Sequence, residues 1–127
     1  MKWIRLGIII SLLLVIINCG GKKPSTPVIT VPSVVLPNVA DTFTAVSTDP
    51  NGDDVKYMFS WGDGSESNWS GFLASGATYK TTYAYSTKGT YYVKARAQDN
   101  SNKTSDWSEE IKVVCGYAPL LWDLPPD

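Results

Sequence analysis

The sequence predicts an all-β domain: a sandwich of immunoglobulin size with about seven antiparallel strands, behind an amino-terminal signal peptide. Three observations carry that expectation. Apolar and polar residues alternate with period two over several short stretches, turn-forming clusters separate the stretches, and no dozen-residue run beyond the amino terminus has helical spacing. Six or seven short strands in about 90 residues suit a two-sheet sandwich.

The amino terminus is a separate element. Lys2 and Arg5 flank the start of an apolar run of 12 residues, 6–17. A helix needs roughly 20 residues to cross a hydrocarbon core. The run therefore fits the apolar centre of a secretory signal peptide, with an uncleaved anchor as the alternative. Ile16-Ile17-Asn18-Cys19-Gly20 then resembles a bacterial lipobox, although Asn18 stands where Gly, Ala or Ser is usual. That resemblance implies cleavage before Cys19, diacylglycerol on its sulfur and a further acyl chain on the new amino terminus. Two or more chains hold a protein on a membrane durably where one does not. The expected layout is a signal peptide at 1–18, a lipidated cysteine and polar tether at 19–27, the sandwich at 28–114 and a tail at 115–127. Fully stretched, residues 20–27 reach at most about 26 Å. The domain would thus sit close to its membrane in the cell envelope, facing the periplasm or the exterior.

The strands follow in order. Candidates are 28–31, 42–47, 54–61, 78–85, 89–98 and 109–114. The clearest is the third: Val55, Tyr57, Phe59 and Trp61 point one way, and Lys56, Met58 and Ser60 the other. In the fifth, Tyr91, Val93, Ala95 and Ala97 share a face opposite Tyr92, Lys94, Arg96 and Gln98. One buried and one wet face per strand is the mark of an antiparallel sheet. Aromatic residues make up 12% of the chain, and most fall on these strands. Rings bury large areas, so a small core can suffice. No internal repeat is evident.

Composition excludes some functions. Cleavage before Cys19 would leave nine basic residues against twelve acidic ones, a poor balance for neutralising a row of phosphates, so nucleic acid is not an expected partner. The chain has no histidine, which removes histidine-based triads and most zinc sites. With Cys19 lipidated, Cys115 has no partner within the chain. It keeps step with Val113 and is expected to point inward.

Three groups of residues invite a functional reading. In Trp61-Gly62-Asp63-Gly64, the flanking glycines reach backbone angles closed to other residues, and an aspartate so placed accepts backbone N–H bonds. Gly62, Asp63 and Gly64 therefore read as a structural turn, and no catalytic residue is expected. In Asp49-Pro50-Asn51-Gly52-Asp53-Asp54, oxygen-bearing side chains alternate as at the start of an EF-hand loop, but no glutamate follows at the twelfth position. The loop is either a plain turn or a weak calcium site using Asp49, Asn51, Asp53 and Asp54. Trp69, Phe72 and Trp107 lie off the core pattern, where rings either contact a ligand or cap the ends of the sandwich. Lys94 and Arg96, with Tyr92, read as a solvated strand surface.

The order Ser47-Thr48-Asp49-Pro50-Asn51-Gly52-Asp53, Tyr57-Met58-Phe59-Ser60-Trp61-Gly62-Asp63-Gly64, Tyr83-Ala84-Tyr85, Gly89-Thr90-Tyr91-Tyr92-Val93, Ala97-Gln98-Asp99 and Ser105-Asp106-Trp107-Ser108 resembles the pattern of PKD domains. The resemblance spans roughly residues 27–114. It implies a seven-stranded immunoglobulin-like sandwich on an extracellular protein, used as a spacer, an adhesive contact or an accessory for polysaccharide or collagen. It also implies that calcium binds near the 49–54 loop in some members. The functional expectation is a non-catalytic envelope lipoprotein making adhesive or structural protein contacts, with a carbohydrate-binding module as the alternative. Coplanar, solvent-exposed Trp69 and Trp107 would mark that alternative. Leu120, Leu121, Trp122 and Leu124 make the tail too apolar for a comfortable free end; it either folds back on the domain or docks on a partner.

Overall fold

The computed structural model describes residues 21–117; the expected signal peptide and lipidated Cys19, and the tail from residue 118 on, lie outside them. The described residues contain seven strands and no helix: β1 (Val28–Thr30), β2 (Val34–Val35), β3 (Asp41–Val46), β4 (Val55–Ser60), β5 (Tyr79–Tyr83), β6 (Gly89–Asp99) and β7 (Ile111–Cys115). One sheet has the order β1-β3-β5 and the other the order β2-β7-β6-β4. This is the two-sheet sandwich that the alternation predicted.

Six strands lie where the sequence places them, with bounds moved by a residue or two. The seventh, β2, has only two residues and no pattern to read. It is also the exception to the antiparallel expectation, since Val34 and Val35 run parallel to Val114 and Cys115. The cause lies just upstream. Pro32 has no N–H to continue the β1 ladder, and the chain leaves for the edge of the other sheet without reversing.

The core follows from the alternation. Phe43 and Ala45 of β3 face Val55, Tyr57 and Phe59 of β4, Val93, Ala95 and Ala97 of β6, and Val113 of β7, all buried. Large rings sit beside small neighbours: Phe59 is paired with Ala95 and Tyr57 with Ala97. That leaves room for Trp61, whose ring stacks on Phe59 at 5.0 Å and on Tyr83 at 4.2 Å, with the edge of Phe43 at 5.1 Å. Such ring pairs add stabilisation beyond their buried area. Tyr85 donates from its hydroxyl to the Trp61 carbonyl at 2.7 Å, so its polar tip is satisfied inside the core. Cys115 is a free, buried thiol on the inward face of β7.

Strand β4 ends its sheet, yet its outer edge is not bare. Ser67 N–H donates to the Phe59 carbonyl (2.9 Å) while Ser67 Oγ accepts from Phe59 N–H (2.9 Å). Ser70 does the same for Tyr57, and Leu73 exchanges two backbone bonds with Val55. On the other side, β6 beyond Val93 has left β7. Ser108 there serves Ala95 and Ser105 serves Ala97 by the same double bond. Covered edges of this kind remove templates for edge-to-edge aggregation.

Residues 21–27, read from the sequence as part of the tether, lie on the sandwich. Pro24 and Pro27 are buried. Ser25 N–H donates to the Thr48 carbonyl at 2.8 Å, Lys22 N–H donates to Asn51 Oδ1 at 2.9 Å, and Lys23 pairs with Asp106 at 2.9 Å.

Candidate functional site

The Gly62-Asp63-Gly64 turn builds itself around the carboxylate. Asp63 Oδ1 accepts from Ser65 N–H (2.9 Å) and Ser65 Oγ (2.6 Å), and Oδ2 accepts from the Tyr83 hydroxyl (2.5 Å). Burial alone would raise the Asp63 pKa, but the bonds from Ser65 and Tyr83 outweigh it and hold the carboxyl below its ordinary range. The Tyr83 hydroxyl is pushed up in turn, first by burial and then by its bond to Asp63. Gly62 (φ 83°) has a further constraint: a Cβ there would lie 2.5 Å from the Tyr92 carbonyl oxygen. Both carboxylate oxygens of Asp63 are thus engaged, one in the turn and one by Tyr83 of β5.

The acidic loops are a different matter. Asp49 Oδ1 accepts from Asn51 N–H (2.8 Å) and Asp53 N–H (3.2 Å), and Gly52 N–H closes on the Asp49 carbonyl. Asp99, at the end of β6, repeats the arrangement. Its Oδ1 accepts from Ser101 and Lys103 N–H, both at 2.8 Å, and Asn102 N–H closes on its carbonyl. The fourth residue of each loop, Gly52 or Asn102, has positive φ. The two loops bring Asp49, Asp53 and Asp99 together, with one carboxylate oxygen from each within 4.8 Å of the others.

Asp49 and Asp99 are buried, and Asp49 Oδ2 has no hydrogen-bond partner. A buried carboxylate oxygen without a donor is costly. Three carboxylate oxygens at this separation, one of them buried without a donor, suit a hard cation held at about 2.3–2.6 Å from each, as calcium is. The donor set therefore fits the ion. It shares Asp49 and Asp53 with the set read from the sequence and adds Asp99. Asp54 is exposed and outside the cluster, and Asn51 Oδ1 holds Lys22 N–H instead.

The third group is an arrangement on the outer face of β4 and β6. Arg96 lies between two tryptophans, its guanidinium carbon 5.5 Å from the Trp69 ring centroid and 4.5 Å from that of Trp107. Lys56 Nζ sits 5.3 Å from the Trp69 centroid and 5.2 Å from that of Phe72, and Lys94 Nζ sits 5.4 Å from that of Trp107. Trp69 and Trp107 are thus half-buried on cations instead of capping the ends of the sandwich. Phe72 and Tyr92 remain 50% and 51% exposed at the margin.

A family model, that of the PKD domain, matches residues 27–111. The chain belongs to the PKD domain family. Among solved structures it is similar to the PKD domain of an M14-like peptidase from Thermoplasmatales archaeon SCGC AB-540-F20. That domain is 35% identical, with a TM-score of 0.71, and the match covers 77% of this chain and 100% of the other. A CARDB domain from Pyrococcus furiosus, solved in complex with di-metal ions, shares the fold at 15% identity and a TM-score of 0.54, covering 78% of this chain and 94% of its own. No curated protein matches. The PKD fold is a non-catalytic module fold.

Two features of this PKD domain escape a reading by hydrophobic period. Asp99 belongs with Asp49 and Asp53, and the visible sign is that Asp49-Pro50-Asn51-Gly52-Asp53 and Asp99-Asn100-Ser101-Asn102-Lys103 are one kind of loop. Likewise Ser67-Asn68-Trp69-Ser70 and Ser105-Asp106-Trp107-Ser108 are one kind of edge strip. Ser67 and Ser70 bond to Phe59 and Tyr57, and Ser105 and Ser108 bond to Ala97 and Ala95. Around the central Met58–Arg96 pair of the β4–β6 ladder, the two strips are related by a local two-fold. Each strip places its tryptophan on the same face, over Arg96.

Proposed function

We propose that this PKD domain is a non-catalytic contact module of the cell envelope, held at a membrane through lipid on Cys19. It meets a protein partner through the outer face of β4 and β6. The observation that carries this reading is the Trp69–Arg96–Trp107 stack. Two tryptophans and an arginine, residue types enriched at binding hot spots, are pre-ordered by serine strips that fix their backbone. The test is retention of the full chain, in nonionic detergent, on isolated envelope proteins. Wild type is expected to be retained, and the double variant Trp69→Ala/Trp107→Ala is expected to wash through. Equal retention of both would remove the face from consideration. Fatty-acid labelling lost in Cys19→Ser would support the anchor, and labelling that persists would count against it.

A carbohydrate-binding module remains the second reading. Sugar stacking needs an open ring face, and the faces of Trp69 and Trp107 are already approached by Arg96, Lys56 and Lys94. Retention on insoluble neutral polysaccharide, lost in the same double variant, would promote it over the protein contact. We also propose that calcium occupies the Asp49, Asp53 and Asp99 cluster. Its role there is to neutralise three carboxylates and to lock two loops together.

A further inference from the structure

We propose that the contact face takes an extended acidic segment of another protein, with carboxylates at alternate positions seated on Lys56, Arg96 and Lys94. This rests on the reading of the β4–β6 face as the contact surface and names the partner's chemistry.

The first observation is unmet hydrogen-bonding capacity. Arg96 carries five N–H donors. In the described residues its one polar contact is from Nη2 to the sulfur of Met58 at 3.5 Å, and its Nε is buried without a partner. It has no ion pair there, and neither does Lys56; Lys94 has a single one, to Glu110 at 3.3 Å. The Trp69 and Trp107 rings beside the guanidinium restrict its movement. An Arg fork held in this way matches a carboxylate bidentately.

The second observation is charge. The face gathers cations on a chain whose acidic residues outnumber its basic ones by 12 to 11. Lys112 extends the set, because it lies opposite Tyr92 across the β6–β7 ladder.

The third is spacing. Lys94 and Arg96 are alternate residues of one strand, so they project on one face about 7 Å apart. Met58 is paired with Arg96, which makes Lys56 the diagonal neighbour of Arg96 at about 7–8 Å. Alternate side chains of an extended peptide have the same repeat of about 7 Å. A strand bearing acidic residues at every second position therefore meets successive cations without distortion.

The tryptophan faces take no part in direct stacking on such a partner. Their function is to hold the cations upright and to lower the local dielectric, which strengthens each charge pair. A neutral glycan would forgo the charges, and a nucleic acid would meet an acidic remainder of the molecule.

The experiment measures anisotropy of a labelled ten-residue peptide of alternating Glu and Thr, titrated with the full chain in nonionic detergent. A Gln-Thr peptide and polygalacturonate run in parallel. The acidic peptide is expected to bind, to weaken as salt rises, and to lose about tenfold or more in affinity with Arg96→Gln. Lys80→Gln, on the opposite sheet, is expected to change nothing. Arg96→Lys keeps the charge but not the fork, and should also weaken binding. Melting of each variant confirms that it is folded.

Equal binding of the Gln-Thr peptide would overturn the proposal, because the contact would then be through rings and backbone. Binding of polygalacturonate without the peptide would overturn it in favour of an acidic polysaccharide. Suppose neither probe binds while envelope retention still requires Trp69 and Trp107. Then the contact face stands and the acidic partner falls. Failure of retention as well would remove both.

Discussion

At Gly62 and Gly64 one motif makes two different demands on the chain. Both glycines have positive φ, but only Gly62 lies against a neighbour, with a Cβ position 2.6 Å from the Tyr92 nitrogen and 2.5 Å from its oxygen. Gly64 opens to free space. Gly64→Ala should therefore cost about 1–2 kcal/mol from backbone strain alone. Gly62→Ala adds a clash with backbone that cannot yield, and should cost about 2–5 kcal/mol. Urea midpoints of the two variants test the ranking, and equal losses would refute it. Asp63 makes a separate prediction about pH. Its folded pKa lies below the unfolded value of about 3.9. Its contribution to stability is thus full above pH 4 and fades as pH falls through the folded value. Asp63→Asn keeps an acceptor for Ser65 N–H but not the charge. The wild-type advantage over this variant should be present at pH 6 and shrink steadily as pH falls below 4. A gap that stayed constant with pH would show that the charge contributes nothing.

At the scale of elements, the two serine strips do what a further strand would do. Ser105 and Ser108 are 7% and 8% exposed, and their Oγ atoms accept from N–H groups of Ala97 and Ala95 that have no other partner in the sheet. Ser105→Ala or Ser108→Ala leaves one buried donor unsatisfied, and each should cost about 1–3 kcal/mol. Because each serine also fixes the backbone next to Trp107, the same variants should loosen the tryptophan stack and red-shift its fluorescence. Loss of stability without that shift would separate the strip from the face. The strips also explain which parts of the fold were legible beforehand. Strands β3, β4 and β6 announce themselves because one face is buried and the other wet, which imposes a period of two on the residues. Strand β2 has two residues and cannot show a period. Strips that pair through serine hydroxyls have no hydrophobic period at all, so Trp69 and Trp107 read only as lying off the core pattern. Asp99 was hidden for the opposite reason: it ends a strongly patterned strand, and its relation to Asp49 is a contact between two loops at one end of the β4–β6 ladder.

For the whole molecule, the amino-terminal segment ties the two candidate sites together. Lys22 bonds to Asn51 in one acidic loop, Lys103 in the other loop donates to the Gly21 carbonyl, and Lys23 pairs with Asp106 within the second serine strip. Whatever fixes the acidic loops also fixes the point where the chain departs toward Cys19. Calcium is the proposed fixing agent, and its effect can be bounded. Extracellular modules bind calcium with a Kd of about 0.1–1 mM. At 10 mM calcium such a site stabilises the folded state by roughly 1.4–2.7 kcal/mol. In a domain of about 100 residues that corresponds to a rise in Tm of at least about 5 °C. Magnesium, which is smaller and keeps its waters, should give much less. Asp99→Asn retains an acceptor for the Ser101 and Lys103 N–H groups but removes one of three crowded charges. Without metal this variant should melt no lower than wild type, because like charges repel less. In 10 mM calcium it should gain little, so that wild type overtakes it. Thermal melts of both proteins, with chelator and with each ion, decide the matter. A wild-type Tm indifferent to calcium, or a shift that survives in Asp99→Asn, would mean that the two loops hold their carboxylates together without an ion.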